Sequence, residues 1–279
     1  SLFIRSHYLS NHLVFSRFML KMMQEQMGST FSCLVGSLHK LASHEELTPE
    51  LRHIVQGFYE RAAAISSNEA LQSAKIIELC EIVTAFKDKM LIFTKFRATQ
   101  ELLVKALQSR NLKVAQFHGG LLRKEKEQEV AYFREAADVL VSTEVGGEGR
   151  NLQFCNGLVN FDLPWNPMAI EQRIGRIHRI GQNRDVYVFN LAAQHTLEHH
   201  MLYVLDRKIN MFELVIGEVD LILGDVEESE EFSDIVMNAW VRSDNDKMME
   251  QEMDKIGDQL LENKEKLQRV KEFDDRLFA

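Results

Sequence analysis

Cysteine and proline are scarce in this sequence, with three of each among its 279 residues. Cys33, Cys80 and Cys155 are far apart and form no CxxC pair, so the sequence indicates neither a disulfide framework nor a zinc site. No apolar run approaches the ~18 residues that a transmembrane helix needs. The first residues also lack the basic, apolar and small-residue order of a signal peptide. These absences predict a cytoplasmic protein that does not contact a membrane.

Excess negative charge is confined to the C-terminal tail. Residues 225–279 hold 17 acidic and 8 basic residues, which leaves 25 of each in residues 1–224. The net charge of −9 therefore belongs to the tail, and the neutral body could still carry a basic strip that binds nucleic acid. The chain begins with Ser rather than Met, which suggests a piece of a longer protein.

The hydrophobic pattern changes near residue 89. Before it, apolar residues recur at helical spacing, and a stripe that is more typical of a core than of a binding site contains Phe15, Phe18, Met19, Met22 and Met23. Thr48-Pro49 is a typical helix start. After residue 89, short apolar runs predict strands at 90–94, 113–117, 138–142, 157–161 and 185–190. Strands that alternate with helices predict an α/β fold with a parallel sheet and helices on both faces.

The predicted organisation has a helical segment at residues 1–80, a sheet-containing lobe at 81–224, and an acidic linker with a long helix at 225–279. A helix through Leu197, Met201, Leu205 and Ile209 is expected to pack back on the sheet. From Met249 onwards, apolar residues recur at heptad-like spacing, with Asn263 in one of the apolar places. One helix packed on its own chain explains this pattern, and so does an intermolecular coiled coil.

Residues 171–182 combine two faces if they form one helix. Gln172, Arg176 and Arg179 then fall on one side, opposite three isoleucines at positions 170, 174 and 177. Two aligned guanidinium groups suit a polyanion, because each can bind phosphate oxygens bidentately. Gly175 beside this column suggests that another part of the backbone approaches closely. A solvated face of an amphipathic helix explains the same residues.

A Gly-rich turn follows the third predicted strand. Residues 142–152 contain three glycines in four positions, which allows a close approach to a ligand and an anion-binding nest of N–H groups. Ser142 and Thr143 could donate hydroxyl groups to phosphate oxygens. A tight connection without function is the alternative. Other polar motifs follow the other strands, and ligands bind at this end of parallel sheets.

The order of these motifs resembles the second RecA-like lobe of superfamily 2 helicases. More narrowly, it resembles the bacterial and archaeal Swi2/Snf2 ATPases, a branch that includes the RNA-polymerase-associated enzyme. The resemblance covers about residues 89–215 and rests on Leu91 to Phe96, His118-Gly119, the Gly-rich turn, Trp165-Asn166-Pro167 and Gln172 to Gln182. It implies a RecA-like fold and one motor lobe of an ATP-dependent double-stranded DNA translocase.

The resemblance also implies roles for particular residues. Arg176 and Arg179 match arginine fingers, and Gln172, Gly147 and Asn151 match positions that border the nucleotide or couple it to motion. Nucleic-acid contacts are implied for Lys95, Phe96, His118, Gly119, Ser142, Thr143 and Trp165. A buried core position is the alternative for Trp165. Glu144 stands where many eukaryotic remodellers have Arg, so no phosphate contact is assigned to it.

Two motifs of a complete ATPase site are absent from the sequence. It has no GxxxxGK[ST] loop and no Asp-Glu dipeptide to hold Mg²⁺ and orient water. ATP and Mg²⁺ are therefore expected to be held mainly by a first lobe of the same polypeptide, and this chain alone is predicted to be inactive. The other expected partners are double-stranded DNA and either RNA polymerase or another protein. A non-catalytic module that binds nucleic acid or protein, and a lobe of an RNA-directed helicase, are the alternatives.

Overall fold

The structure is a computed structural model that describes residues 16–143, 152–179, 181–208, 210, 222 and 232–278. Its contacts divide the chain into two units. The first unit comprises Ser1–Asp162 and Arg176–Ala192, and the second comprises Leu163–Gly175 and Ala193–Ala279. These units follow the packing within the chain. The predicted division at residues 80 and 224 stays a prediction.

The first unit contains a parallel sheet of five strands in the order β2-β3-β1-β4-β5. The strands are β1 (Met90–Thr94), β2 (Val114–Phe117), β3 (Val139–Thr143), β4 (Gly157–Asn160) and β5 (Tyr187–Asn190). Each lies within two residues of its predicted position. Because all the strands run in one direction, their carboxyl ends meet at one edge, where Thr94 is level with Thr143 and Phe117 with Ser142.

Helices cover both faces of this sheet. The helices of the first unit are α1 (Arg17–Ser29), α2 (Phe31–Ala42), α3 (Pro49–Ser66), α4 (Glu69–Gln72), α5 (Ala74–Ala85), α6 (Arg97–Gln108) and α7 (Arg123–Glu135). Side chains of α5 and α6 pack with Met90 and Ile92 on one face. Side chains of α7 pack with Leu91 and Phe93 on the other. Successive strand residues point to opposite faces, so each strand contributes to both cores. The predicted RecA-like α/β fold is confirmed.

The N-terminal helices confirm one expectation and correct another. The Thr48 hydroxyl accepts a hydrogen bond from the Leu51 N–H at 3.3 Å, and Pro49 is the first residue of α3, as predicted. The apolar stripe on α1 is only partly a core stripe. Met23 is buried, but Phe18 is 76% exposed because Leu20 and Met23 lie on the face that packs. Phe15 lies outside the described residues.

Polar contacts connect α1 to the sheet-containing part of the first unit. The Thr99 hydroxyl of α6 lies 2.8 Å from the hydroxyl groups of Ser29 and Thr30. The Lys75 ammonium group of α5 donates to the Gly28 carbonyl at 2.7 Å. The residues that link α1 to α2 are therefore held against α5 and α6.

The regular secondary structure in the described residues of the second unit is helical. It contains α8 (Pro167–Ile174), α9 (Leu197–Tyr203) with a π-helical turn at Val204–Lys208, α10 (Phe232–Arg242) and α11 (Asp246–Phe278). Within the unit, α9 and its π-helical turn pack on α10 and α11. Met249, Met253 and Leu260 of α11 are buried. In the structure, the long helix α11 therefore packs on its own chain. Ile209 lies outside the described residues, so the predicted helix is described only as far as Lys208.

Asn263 occupies an apolar place of the heptad-like pattern for a visible reason. Its side-chain amide donates to the Ile222 carbonyl at 3.2 Å, so a buried polar group is satisfied. The 33 residues of α11 would be long enough to cross a membrane. Across the described parts of the chain, however, no helix is both long enough and apolar enough to do so.

Candidate functional site

The segment with Arg176 and Arg179 is not helical, which corrects the prediction of one helix through residue 182. Helix α8 begins after Asn166, whose side chain accepts from the Met168 N–H at 2.9 Å, and it ends at Ile174. Residues 175–179 form a turn and a bend. Gln172, Arg176 and Arg179 therefore do not form a column on one helix. The isoleucine spacing also fits the observed turn, because Ile177 is buried there as well.

Core packing holds this arginine segment, which we define as residues 175–179 and 181–182. Ile177 is 0% exposed and packs with Leu91, Leu152 and Cys155. The Leu152 N–H donates to the Arg176 carbonyl at 3.2 Å. Arg176 is half-buried and Arg179 is exposed. Two arginines thus flank the buried Ile177, and a backbone hydrogen bond joins Arg176 to Leu152, the last residue of the Gly-rich turn.

Gln182 is an anchor whose role the sequence did not suggest. Its amide nitrogen lies 3.0 Å from the Gln153 carbonyl, 3.1 Å from that of Ile177 and 3.3 Å from that of Cys155. Gly181 precedes it at φ 101°, a conformation that favours glycine. The Gly181-Gln182 pair at the end of the arginine motif was the available signal. The Gln182 side chain connects the arginine segment to residues 153–155.

The sequence suggested that Gly175 allows another part of the backbone to approach closely, and the described residues show no such approach. A Cβ atom there would lie 3.4 Å from the Glu171 carbonyl oxygen and 3.6 Å from that of Gln172, which is close to ordinary contact. Its φ of −60° is open to any residue. Gly175 is instead the C-cap of α8, where a residue of low helix propensity favours the end of the helix.

The Gly-rich turn is described only at its two ends. Gly147 and Asn151 lie outside the described residues, as does Glu144. Ser142 and Thr143 end β3 and are buried, and the Ser142 hydroxyl donates to the Thr143 carbonyl at 3.1 Å. The Ser142 hydroxyl is therefore engaged within the protein, and a phosphate contact of either residue stays a prediction. Gln172 is exposed on α8 in the second unit.

A buried carboxylate organises the residues after β1. Asp162 accepts from the Thr94 hydroxyl at 2.5 Å and from the Lys95 backbone N–H at 2.7 Å. The Lys95 ammonium group is 2.7 Å from the Glu25 carboxylate, and the Lys95 side chain is 42% exposed. Phe96 is half-buried and is the N-cap of α6, so it offers no side-chain oxygen to the first N–H groups of that helix. Asp162 was not among the predicted site residues.

His118 and Gly119 follow β2 at the same edge. His118 is half-buried and Gly119 is exposed. Burial lowers the pKa of the His118 imidazole, and the positive charge of Arg97 lowers it further. At neutral pH the ring is therefore a neutral hydrogen-bonding group. We define the basic edge as residues 94–97 and 118–120.

Trp165 is 4% exposed, so it occupies a buried position, which was the alternative to a nucleic-acid contact. We therefore do not assign a nucleic-acid contact to it. The motif around it has a local structural explanation, because Asn166 caps α8 and Pro167 is its first residue.

The three cysteines are free, buried thiols. Burial raises the pKa of Cys33 and Cys80, and it raises the pKa of Cys155 to about 12. A thiol needs to ionise to act as a nucleophile or a metal ligand. Burial therefore keeps the three thiol groups protonated at neutral pH.

Comparison with known proteins places this geometry in a family. The model of the helicase conserved C-terminal domain matches residues 74–181. An uncharacterized ATP-dependent helicase of Bacillus subtilis, YqhH, is 42% identical over 205 residues, which are 70% of this chain and 37% of YqhH. The chain carries the C-terminal helicase lobe of a Snf2-type ATPase. The lobe is also 41% identical over 130 residues to the RNA polymerase-associated protein RapA of Proteus mirabilis, covering 45% of this chain and 13% of RapA.

The helicase lobe accounts for only part of such proteins, since the chain spans about a third of YqhH and less of RapA. Among solved structures, the C-terminal part of the Fun30 ATPase domain aligns with 76% of this chain and 81% of its own, at 18% identity and a TM-score of 0.46. The SWI2/SNF2 ATPase core of Sulfolobus solfataricus aligns with 68% of this chain and 42% of its own, at 25% identity and a TM-score of 0.45.

Proposed function

We propose that this chain is the second motor lobe of an ATP-dependent double-stranded DNA translocase, and that Arg176 and Arg179 are its arginine fingers. The observation that carries the proposal is the construction of the arginine segment. Its two arginines flank the buried Ile177, and Gln182 connects the segment to residues 153–155. Cationic side chains on a backbone that core packing and hydrogen bonds hold in place suit a charge that develops only in a transition state.

The residues of this lobe fit ATP but do not provide a complete site for it. Guanidinium groups bind phosphate oxygens bidentately, so Arg176 and Arg179 have the chemistry to contact a γ-phosphate. Bound ATP supplies the phosphoryl group whose negative charge the arginines stabilise during transfer. In the described part of the chain, no group of three His, Cys, Asp or Glu residues could hold a metal ion. We assign Mg²⁺ and the phosphate-binding loop to a first lobe of the same polypeptide.

The basic edge supports the DNA-binding part of the proposal. Lys95 and Gly119 are exposed at the carboxyl ends of β1 and β2, and His118 is half-exposed beside them. Helix α6 begins at Arg97, so its positive end faces this edge. These groups suit contacts with the phosphate backbone rather than with bases, which would let the lobe move along a duplex of any sequence. Closure of the first lobe onto the arginines would shift the lobe along the duplex.

Alanine substitution of the two arginines in the full-length protein tests the proposal. Arg176→Ala or Arg179→Ala should lower DNA-stimulated ATP hydrolysis by a factor of about 10³ or more. Duplex affinity should change little, because the arginines contact nucleotide rather than DNA. Arg110→Ala, at an exposed arginine just after α6, is the control. Hydrolysis that survives both substitutions would show that the arginine fingers are assigned wrongly.

The choice of nucleic acid needs a separate measurement. Stimulation of the full-length enzyme by duplex DNA, single-stranded DNA and RNA should be greatest with duplex DNA. Greater stimulation by RNA would favour the RNA-directed helicase, and no hydrolysis at all would favour the binding module. The name of RapA makes RNA polymerase the first protein partner to test.

A further inference from the structure

Gln100 is a fully buried polar residue at the carboxyl edge of the sheet. It lies in the first turn of α6 and is 0% exposed. Its amide nitrogen donates to the Val141 carbonyl at 2.7 Å and to the Phe117 carbonyl at 3.1 Å. Its amide oxygen accepts a hydrogen bond from the Arg97 guanidinium group. The side chain thus connects the ends of β2 and β3 to the start of α6.

Each partner of Gln100 adjoins a residue of the proposed DNA contact. Phe117 precedes His118, Val141 precedes Ser142, and Arg97 follows Lys95-Phe96. Arg97 also forms an ion pair with Glu101 at 3.2 Å, so its guanidinium group is held from two sides. One carboxamide therefore joins both segments of the basic edge to the end of β3, where Ser142 is a predicted phosphate contact.

A carboxamide is suited to this position by its chemistry. It offers two N–H donors and one acceptor oxygen, which match two carbonyl groups and one guanidinium group. An aliphatic side chain of the same length would leave the buried carbonyls without these bonds. An ionised carboxylate could not donate to them. The hydrogen bonds of Gln100 thus specify the relative positions of the three segments.

We propose that Gln100 is a positioning residue that holds these three segments in the arrangement needed to bind the duplex backbone, an inference that rests on the proposed function. Gln100 itself contacts no DNA, because it is buried. Its removal should therefore displace His118 and Arg97 from the phosphates without altering the arginine segment. The effect belongs to the binding of DNA and not to the hydrolysis step.

The test is Gln100→Met in the full-length protein, because methionine matches the length of glutamine without its amide. The duplex concentration that half-saturates ATP hydrolysis should rise about tenfold, which corresponds to ~1.4 kcal/mol. The rate at saturating duplex should change little. The slope of log affinity against log salt should fall by about 0.9 for each phosphate that the lobe no longer neutralises. Gln108→Met, at an exposed glutamine of the same helix, is the matched control.

A role confined to folding would lower the melting temperature and leave both the half-saturating duplex concentration and the salt slope unchanged, and this result would overturn the inference. If Gln100→Met does not fold, Arg97→Leu removes the exposed end of the same network. It should raise the half-saturating duplex concentration in the same direction, and an unchanged value would also overturn the inference. If duplex DNA does not stimulate the unmodified enzyme, the proposed function fails first, and the two failures are distinguishable.

Discussion

The arginine segment and the basic edge are held in place by different forces. The arginine segment depends on the apolar burial of Ile177 and on backbone hydrogen bonds, which salt and pH affect little. The basic edge depends on charged groups, since Lys95 pairs with Glu25 and its backbone bonds to Asp162. Because of this difference, substitutions and changes of salt or pH should affect the two regions separately. Hydrolysis should follow the packing of the first region, and DNA affinity should follow the charges of the second.

Among substitutions of residues that support the two regions, the largest effect is expected at Gln182, which holds the arginine segment. Gln182→Met deletes an amide that donates to carbonyl groups of residues 153, 155 and 177. A displacement of the reacting groups by ~1 Å can cost about 10² in rate, so DNA-stimulated hydrolysis should fall by that order. Steady-state ATPase measurements on the full-length enzyme check this, with the exposed Gln194 changed to Met as the control. A normal rate, or weaker DNA binding instead, would mean that the two regions are not separate.

A smaller effect is expected from the ion pair at the basic edge. Glu25→Gln removes the carboxylate that competes with phosphate for the Lys95 ammonium group. Partly exposed pairs contribute up to about 1 kcal/mol, so duplex binding should become tighter by at most about fivefold. Lys95→Ala should weaken binding and reduce its salt dependence.

A double-mutant cycle with duplex binding as the readout is the sharpest form of this test. Glu25→Gln should have no effect on affinity when Lys95 is already Ala, because the charge that it frees is absent. Lys105→Ala, at an exposed lysine of α6, is the control. Additive effects of the two substitutions would show that Glu25 does not act through Lys95.

The smallest effect is expected from the pH dependence of His118. Burial, with the charge of Arg97, holds its pKa below 6.5 in the protein without DNA. A nearby phosphate favours the protonated ring, so the bound state takes up a proton more readily than the free state. Duplex affinity should therefore rise a few-fold as the pH falls through 6.5 toward the lowered pKa. The free energy of unfolding changes in the opposite direction. Because the pKa of His118 is lowered in the folded state, its contribution to stability is fully present above pH 6.5 and is lost as the pH falls through the lowered pKa.

Titration of duplex binding at several pH values checks this prediction. His118→Gln should flatten the dependence, whereas His53→Gln, at an exposed histidine of α3, should leave it unchanged. The rate of hydrolysis at saturating duplex should not follow the same profile, because His118 belongs to the basic edge and not to the arginine segment. An unchanged profile in His118→Gln would place the titrating group elsewhere.

Much of the fold could be predicted because its signals are local. The strands appear in the sequence as short apolar runs, and α3 begins at the predicted Thr48-Pro49 cap. The end of α8 could not be predicted from periodicity. Ile170 and Ile177 are both buried, but one lies in the helix and the other in the turn after it. Isoleucine spacing indicates burial, and burial alone does not distinguish a helix from a turn.

By itself, the sequence determined the parallel sheet and the order of the polar motifs at its carboxyl edge, since strand and turn preferences depend on neighbouring residues. Only the tertiary structure decided which of those motifs are accessible. Ser142 and Trp165 proved buried, while Lys95 stayed exposed beside an acidic partner. The physical reason is distance along the chain. Burial, ion pairs and the hydrogen bonds of Gln100 join residues that are far apart in sequence, and they exist only once the chain has folded.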